Sequence, residues 1–341
     1  MMRASLAFFF AFAVACSGPA ANTPSSEAPA SGSTPSAAEP AGDPADWPRD
    51  FVATPGSGPA LYLSESPEAP GIGYVTEGTA IRIGSLPQNG RIKVRIDGPM
   101  KVRGWLVASR LGLRVRQGGR VPVTPISLAP GDYVEYVGPG ESGIARVRAR
   151  TELGREGLNG PSFPGIFPLD RLTTDAVAPE APTGTAARLP AGQPVELYVT
   201  PEQVGATLPA ADPGLIVDLA RDRGRWKGVR IGVGPRLVGY VNVELSEADA
   251  LPSRQPPATA AEGEPPMRLR VDEDRPLWRV QAGTRVRYGD TVIAIMESQG
   301  WAREMERFED DNEVDVFIAA DDGVALRGTV PASALVAAEG S

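Results

Sequence analysis

Gly104-Trp105-Leu106-Val107-Ala108-Ser109-Arg110-Leu111 closes a run of alternating polar and apolar residues, and its outline recurs three times further along the chain. Each copy has a glycine, a pair of bulky or β-branched residues, a short turn and a closing leucine. The other copies lie at residues 165–172, 239–245 and 328–335. A short pattern that returns along a chain predicts several copies of one small β module.

Two of these copies belong to longer repeats. Four landmarks match at an offset of 135 or 136 residues: Leu61-Tyr62-Leu63 with Leu197-Tyr198-Val199, Val94-Arg95-Ile96 with Val229-Arg230-Ile231, Gly98-Pro99 with Gly234-Pro235, and Gly104-Trp105 with Gly239-Tyr240. The chain also carries 39 Gly and 35 Pro. Short alternating strands joined by Gly and Pro turns predict small barrels or sandwiches rather than a parallel sheet.

Modules of this size with a Gly-Trp-Leu-Val…Leu ending resemble bacterial SH3-like domains. The resemblance implies that Gly104 and Trp105 lie on the fourth strand and that a short turn leads to the closing strand. We therefore predict an all-β fold of three to four SH3-like barrels in tandem. The predicted bounds are 52–118 for module 1, 119–173 for the loosest copy, module 2, 186–246 for module 3, 246–266 for a linker and 267–338 for module 4. Another five-stranded barrel is the alternative.

The N-terminus has the pattern of a secretory signal. Residues 1–15 combine a positive start at Arg3 with an apolar run too short to span a membrane. Ala13-Val14-Ala15-Cys16 resembles the lipobox of bacterial lipoproteins, which implies lipidation of Cys16 and anchoring in a membrane, the outer membrane because Ser17 follows. The alternative is an ordinary signal peptide with an incidental cysteine. The Ala, Pro and Ser of residues 16–50 predict a disordered tether.

Composition excludes several kinds of chemistry. The chain contains no His and one Cys, and its net charge is −8. Most metal sites, Cys-His nucleophiles and Ser-His-Asp triads need residues that are missing here, and an acidic chain gives no general case for nucleic-acid binding. We therefore expect no cofactor, no metal and no enzymatic activity. A hydrolase that uses carboxylates alone is the remaining catalytic alternative.

Five aromatic residues are candidates for ligand grooves. SH3-like folds often bind peptides in a shallow groove lined by aromatics, and the residues in question are Tyr62, Trp105, Tyr198, Trp226 and Tyr240. Large aromatics more often supply buried apolar area, so core packing or half-burial is the favoured alternative.

Charge is distributed unevenly. Residues 82–120 hold ten basic residues and one acid, whereas residues 297–322 hold ten acids and two arginines. Alternation predicts that Arg91, Lys93 and Arg95 share the solvent face of one strand. Such a patch attracts peptidoglycan carboxylates, lipid phosphates or an acidic protein, although most charged strand faces are only solvated. Modules 1 and 4 also have opposite charge and could dock on each other.

These features lead to one functional expectation. We expect a lipid-anchored cell-envelope protein that binds or scaffolds, with peptidoglycan peptide or an envelope protein as its partner. The alternative is a structural subunit or spacer of an envelope complex that has no ligand groove.

Overall fold

The structure, a computed structural model, describes residues 44–55, 60–153, 159–253, 269, 275–307, 312–320 and 323–338. Strands account for 55% of the residues and helix for 5%, which confirms the all-β prediction. The strands form a closed β-barrel and further sheet. Cys16, the segment 1–15, most of the 16–50 tether and most of the 246–266 linker lie outside the described residues. Within the described ranges, no helix has the length and apolar character needed to cross a membrane.

Unit 1, around the first copy of the repeat, consists of seven antiparallel strands. They are β1 (Asp50–Ala53), β2 (Leu61–Tyr62), β3 (Gly71–Val75), β4 (Ala80–Ile83), β5 (Arg91–Ile96), β6 (Met100–Val107) and β7 (Leu111–Val115), with a 3₁₀ helix at Ala108–Arg110. Strand β1 pairs with β4 and β7, β4 with β5, β5 with β6, β6 with β2, and β2 with β3. The repeated stretch therefore covers the end of β6, the helical turn and the start of β7.

Unit 2 uses a strand of unit 1. Its own strands are β10 (Tyr133–Pro139), β11 (Ile144–Glu152), β12 (Asn159–Pro168) and β13 (Leu172–Thr173), with a 3₁₀ helix at Leu169–Arg171. Between β7 and β10 the chain forms β8 (Gly119–Arg120) and β9 (Ile126–Leu128), which pair with each other and belong to the sheet of unit 3. Strand β7 pairs with β10 and β13 as well as with β1, so it is the last strand of unit 1 and the first of unit 2. Strand pairing thus crosses the predicted boundary between residues 118 and 119.

Units 3 and 4 repeat the six pairings of unit 1, strand for strand. The strands of unit 3 are β14 (Ala186–Arg188), β15 (Val195–Thr200), β16 (Gln203–Leu208), β17 (Ile216–Leu219), β18 (Lys227–Ile231), β19 (Arg236–Val241) and β20 (Ser246–Glu247). Those of unit 4 are β21 (Leu277–Val280), β22 (Arg285–Tyr288), β23 (Thr291–Met296), β24 (Gly300–Arg307), β25 (Glu313–Ala319), β26 (Val324–Pro331) and β27 (Leu335–Ala337), with a 3₁₀ helix at Ala332–Ala334.

The repeated glycine has the same neighbour in all four units. Each glycine lies directly opposite a buried valine: Gly104 opposite Val94, Gly165 opposite Val147, Gly239 opposite Val229 and Gly328 opposite Val316. A Cβ on Gly239 or Gly328 would lie within 2.5 Å of a backbone carbonyl oxygen on the crossing strand. In units 3 and 4 the glycine is therefore needed for close approach of two backbones, whereas a Cβ on Gly165 would meet the side chain of Val121 at 2.3 Å and one on Gly104 would lie 3.2 Å from the Tyr62 carbonyl oxygen.

Units 1 and 4 join by exchanging strand pairs. Strand β3 pairs with β26, and β23 pairs with β6, so the same two strand positions of each unit pair with the other unit. Met100, Val102, Ala294 and Met296 are buried at this junction. Lys101 and Glu297 form an ion pair of 3.0 Å across it, but both side chains are more than 40% exposed. Apolar burial and strand pairing, rather than opposite charge, hold the two units together.

Units 2 and 3 are also linked by strand pairing. Strand β9, in the segment between β7 and β10, pairs with β19 through Ser127 opposite Arg236 and Ile126 opposite Leu237. Glu152, at the end of β11, also forms an antiparallel bridge with Val233 of unit 3. Buried apolar residues from all four units belong to a single core cluster. The units are thus parts of one interlocked structure and not separate beads on a chain.

The chain enters this core earlier than the tether prediction allows. Residues Pro44–Asp46 form a 3₁₀ helix, and Trp47 is buried against Tyr136 of unit 2, with ring centroids 5.0 Å apart in an edge-to-face arrangement. The prediction of a disordered tether is therefore wrong for residues 44–50. The reason is that one large aromatic buries enough area to order the short polar segment around it.

We expect the stability of this region to fall at alkaline pH. Burial raises the pKa of Tyr136 to about 12, from an ordinary value of 10. The folded protein therefore holds this proton more tightly than the unfolded chain, and stability is lost as pH rises from 10 towards 12. Between about pH 9 and about pH 11 the wild type should lose about 1 kcal/mol more than Tyr136→Phe in urea unfolding. Equal losses in the two proteins would contradict this assignment.

Candidate functional site

The two predicted groove aromatics of unit 1 lie side by side. Tyr62 on β2 is the cross-strand partner of Trp105 on β6, and both rings are half-buried. The guanidinium carbon of Arg91 lies 3.6 Å from the centroid of the Tyr62 ring. Arg91 Nη1 donates to the carbonyl oxygens of Ser64, at 3.0 Å, and of Ser66, and Nη2 donates to that of Pro67 at 3.1 Å. Arg91 therefore fixes the loop that follows β2 and covers the Tyr62 ring.

This arrangement corrects the predicted solvent face of β5. Arg91 is only 8% exposed, whereas Lys93 and Arg95 are exposed as predicted. Arg91 is the first residue of β5, next to the loop, where three carbonyl oxygens and an aromatic face replace its water. Whether the patch binds a partner stays a prediction.

The three predicted aromatics of unit 3 also come together. Tyr198 on β15 is the cross-strand partner of Tyr240 on β19, and the ring centroids of Tyr198 and Trp226 are 4.8 Å apart. All three rings are half-buried. The Tyr198 hydroxyl donates a hydrogen bond to the Glu196 carboxylate, which raises the pKa of Tyr198. The rings leave a partly exposed aromatic surface with one carboxylate at its edge.

The residue three positions before the repeated valine differs among units 1, 3 and 4. Arg91 and Trp226 each lie three residues before the valine that faces the repeated glycine, and each packs on a tyrosine of the second strand. Glu313 holds the same position in unit 4, where it forms an ion pair of 3.3 Å with Arg287. Alignment of the four valines would have revealed this position in the sequence.

A row of cations crosses the exposed sheet of unit 1. Arg82, Arg95 and Arg103 are direct cross-strand partners on β4, β5 and β6. Arg82 pairs with Asp50 at 2.9 Å and Arg95 with Asp97 at 2.7 Å. Lys93 and Arg103 form no ion pair with any described residue. Like charges directly opposite each other destabilise a sheet, so an anion beside Lys93 and Arg103 would stabilise this part of it.

This row borders a groove between β6 of unit 1 and β23 of unit 4. The groove has a volume of about 340 Å³. Arg95, Lys101 and Arg103 line the unit 1 side, and Val292 and Ile295, which are 41% and 39% exposed, line the unit 4 side. Sequence reasoning found Arg95 but missed the groove, because half of it comes from a unit about 190 residues further along the chain.

Among the described residues, no group of three or more Asp, Glu or Cys side chains is placed to hold a metal ion. The run of acids at 309–311 lies outside the described residues. The described surfaces offer aromatic stacking, cation–carboxylate pairing and apolar contact. No family model, curated protein or solved structure matches the chain.

Proposed function

We infer that this chain is a non-enzymatic binding or scaffolding protein of the cell envelope, anchored by a lipid on Cys16 and built from SH3-like units. One observation carries the binding role: the aromatic pair Tyr62 and Trp105 adjoins the cations Lys93, Arg95 and Arg103 on one exposed sheet. Lys93 is the direct cross-strand partner of Trp105. An aromatic and cationic surface suits a peptide that carries carboxylates, such as the stem peptide of peptidoglycan or a segment of an envelope protein.

The SH3-like assignment is supported by the strand pairings. Units 1, 3 and 4 share six antiparallel pairings, and a single 3₁₀ turn precedes the closing strand in units 1, 2 and 4. The anchor is supported by the Ala-Val-Ala-Cys sequence alone.

A second candidate is a structural spacer. Strand β7 is shared between two units, and units 1 and 4 exchange strand pairs, so much of the sheet surface serves contacts within the chain. A protein of this kind would hold other envelope components at a fixed separation without binding a peptide.

Fractionation and co-sedimentation test this proposal. Wild-type protein should partition with membranes and Cys16→Ala should be soluble, because acylation contributes about 0.8 kcal/mol per buried CH₂. The soluble variant should pellet with purified peptidoglycan sacculi at low salt. Lys93→Glu should pellet less, whereas Arg221→Glu, an exposed change of equal charge in unit 3, should pellet as before.

Two results would count against the proposal. Cys16→Ala protein that stays with membranes would remove the lipid anchor. Soluble protein that stays in the supernatant with sacculi, but co-purifies with a stable envelope partner, would favour the spacer.

A further inference from the structure

We propose that the groove between β6 and β23, called the open groove below, binds an acidic peptide segment that carries aliphatic side chains. A carboxylate of the peptide pairs with Arg103, which lies beside Arg95 and Lys101, and the aliphatic groups of the peptide contact Val292 and Ile295. This site rests on the proposed binding role, with which it shares Arg95 and Arg103, but it requires neither the lipid anchor nor peptidoglycan.

The chain contains its own comparison for this groove. Because units 1 and 4 exchange equivalent strands, β3 and β26 form a second cleft, called the sister cleft, that is equivalent to the open groove. The glycine–valine pairs give the correspondence. Counted from Gly104 and Gly328, Lys101 corresponds to Ala325 and Arg103 to Arg327. Ile295 lies opposite Lys101 and Tyr74 lies opposite Ala325, so Ile295 corresponds to Tyr74.

The sister cleft is filled by the chain itself. Tyr74 on β3 packs against Phe317 on β25, with ring centroids 5.9 Å apart. In the open groove Ile295 takes the place of Tyr74, and Arg95 takes the place of Phe317. Arg95 follows Val94 by one position, as Phe317 follows Val316. An isoleucine and an arginine do not form the ring pair, so the space remains open.

The charges differ in the same way. In the sister cleft Arg327 forms an ion pair of 2.8 Å with Asp315. The residue equivalent to Asp315 in unit 1 is Lys93, one position before the facing valine. Arg103 therefore lies among Lys93 and Arg95 where its counterpart has a carboxylate. In the open groove the aromatic pair is absent, and Arg103 has no carboxylate partner among the described residues, unlike Arg95 and Lys101, which pair with Asp97 and Glu297. A bound ligand supplies the apolar filling and the carboxylate for Arg103.

The shape favours a peptide over a membrane surface. The apolar residues Val292 and Ile295 line a concave space between two strands, whereas a bilayer needs its apolar contacts on a convex or flat surface. A volume of about 340 Å³ is in the range of sites for small ligands and a few side chains. Carboxylates match the planar fork of arginine, which fixes the orientation of the segment.

Fluorescence anisotropy tests this site. The probe is a fluorescein-labelled peptide of alternating glutamate and leucine, titrated with the full chain. We expect saturable binding that weakens as the salt concentration rises, because the Debye length falls from about 10 Å at 0.1 M to about 3 Å at 1 M. The double variant Arg95→Phe with Ile295→Tyr gives the open groove the residues of the sister cleft, and its Kd should rise about tenfold or more.

A second variant keeps the test independent of that double change. Lys93→Asp gives Arg103 the partner that Arg327 already has, and the Kd should again rise about tenfold. Arg221→Asp is the matched control and should leave the Kd within about twofold. A peptide with glutamine in place of glutamate should lose binding.

Three outcomes would overturn the proposal. They are an absence of saturable binding by the wild type, a Kd that neither groove variant changes, and binding to phosphatidylglycerol vesicles without binding to the peptide. None of these depends on sedimentation with sacculi, so failure of this site and failure of the envelope proposal can be told apart.

Discussion

Replacing Gly112 with alanine is expected to destabilise units 1 and 2 together. Gly112 is the second residue of β7, with Val52 of β1 on one side and Glu135 of β10 on the other. A Cβ at Gly112 would lie 2.1 Å from Thr54 Cγ2 and 2.4 Å from the carbonyl oxygen of Val134. The Thr54 methyl can rotate, but the Val134 carbonyl belongs to a backbone held by pairing on both edges. We expect a loss of about 3–4 kcal/mol.

Thermal unfolding and hydrogen exchange measure this effect. A loss of that size lowers the Tm by roughly 5–6 °C in a chain of this length. Because β7 serves both units, amide protection should fall in β1 and in β10 to β13 alike. Gly84→Ala is the matched control, since its Cβ would meet only ordinary contacts with Lys93 at 3.7 Å. Loss of protection in unit 1 alone would show that β7 is not the common element.

Trp47→Ala is expected to cost about 3–5 kcal/mol, the usual range for removing a buried tryptophan. Trp47 is 6% exposed and packs edge-to-face on Tyr136, which also contacts Phe51 at a centroid distance of 5.1 Å. The cavity left by alanine would open the contact between the N-terminal segment and unit 2. Denaturant unfolding followed by circular dichroism measures the loss.

Trp47→Phe separates ring packing from loss of the side chain. The indole Nε1 of Trp47 is buried without a hydrogen-bond partner among the described residues, so phenylalanine removes an unpaired donor and keeps most of the apolar area. We expect a cost of less than about 1.5 kcal/mol for this variant. A small effect of Trp47→Ala would mean that residues 44–50 behave as the tether predicted from composition.

The repeat and the strand class were predictable because both are encoded locally. Leu61–Tyr62 and residues 197–198 lie on the equivalent strands β2 and β15, and Val94 and Val229 face equivalent glycines, as the constant offset indicated. Composition alone misplaced Trp47, since a Pro-rich and Ala-rich neighbourhood hides a single aromatic that has a distant partner. The alternating pattern predicted that Arg91 would be exposed, but a pattern within one strand carries no information about the loop that covers the start of that strand.

The candidate site was predictable only in part for a related reason. Exposure of Lys93 and Arg95 follows from the alternation of β5 alone. The groove beside them requires β23, and no local pattern states which edge β23 will join. The shared role of β7 is hidden in the same way, because Leu111-Gly112-Leu113 reads as the end of one module whether or not a second module uses it.

The strand exchange between units 1 and 4 also bears on the order in which the chain folds. Thr76 and Gly323, which are hydrogen-bonded at the end of the β3–β26 pairing, are 247 positions apart in the sequence. Contacts between residues so far apart in the sequence form late in folding, because the entropy of closing a long loop is lost before the contacts stabilise the structure. During synthesis the edges of β3 and β6 that pair with unit 4 therefore remain unpaired until almost the whole chain has been made. Strands of other chains can pair with such exposed edges, which leads to aggregation. By pairing with β3 and β6, unit 4 covers these edges of unit 1 and protects the folded chain from aggregation.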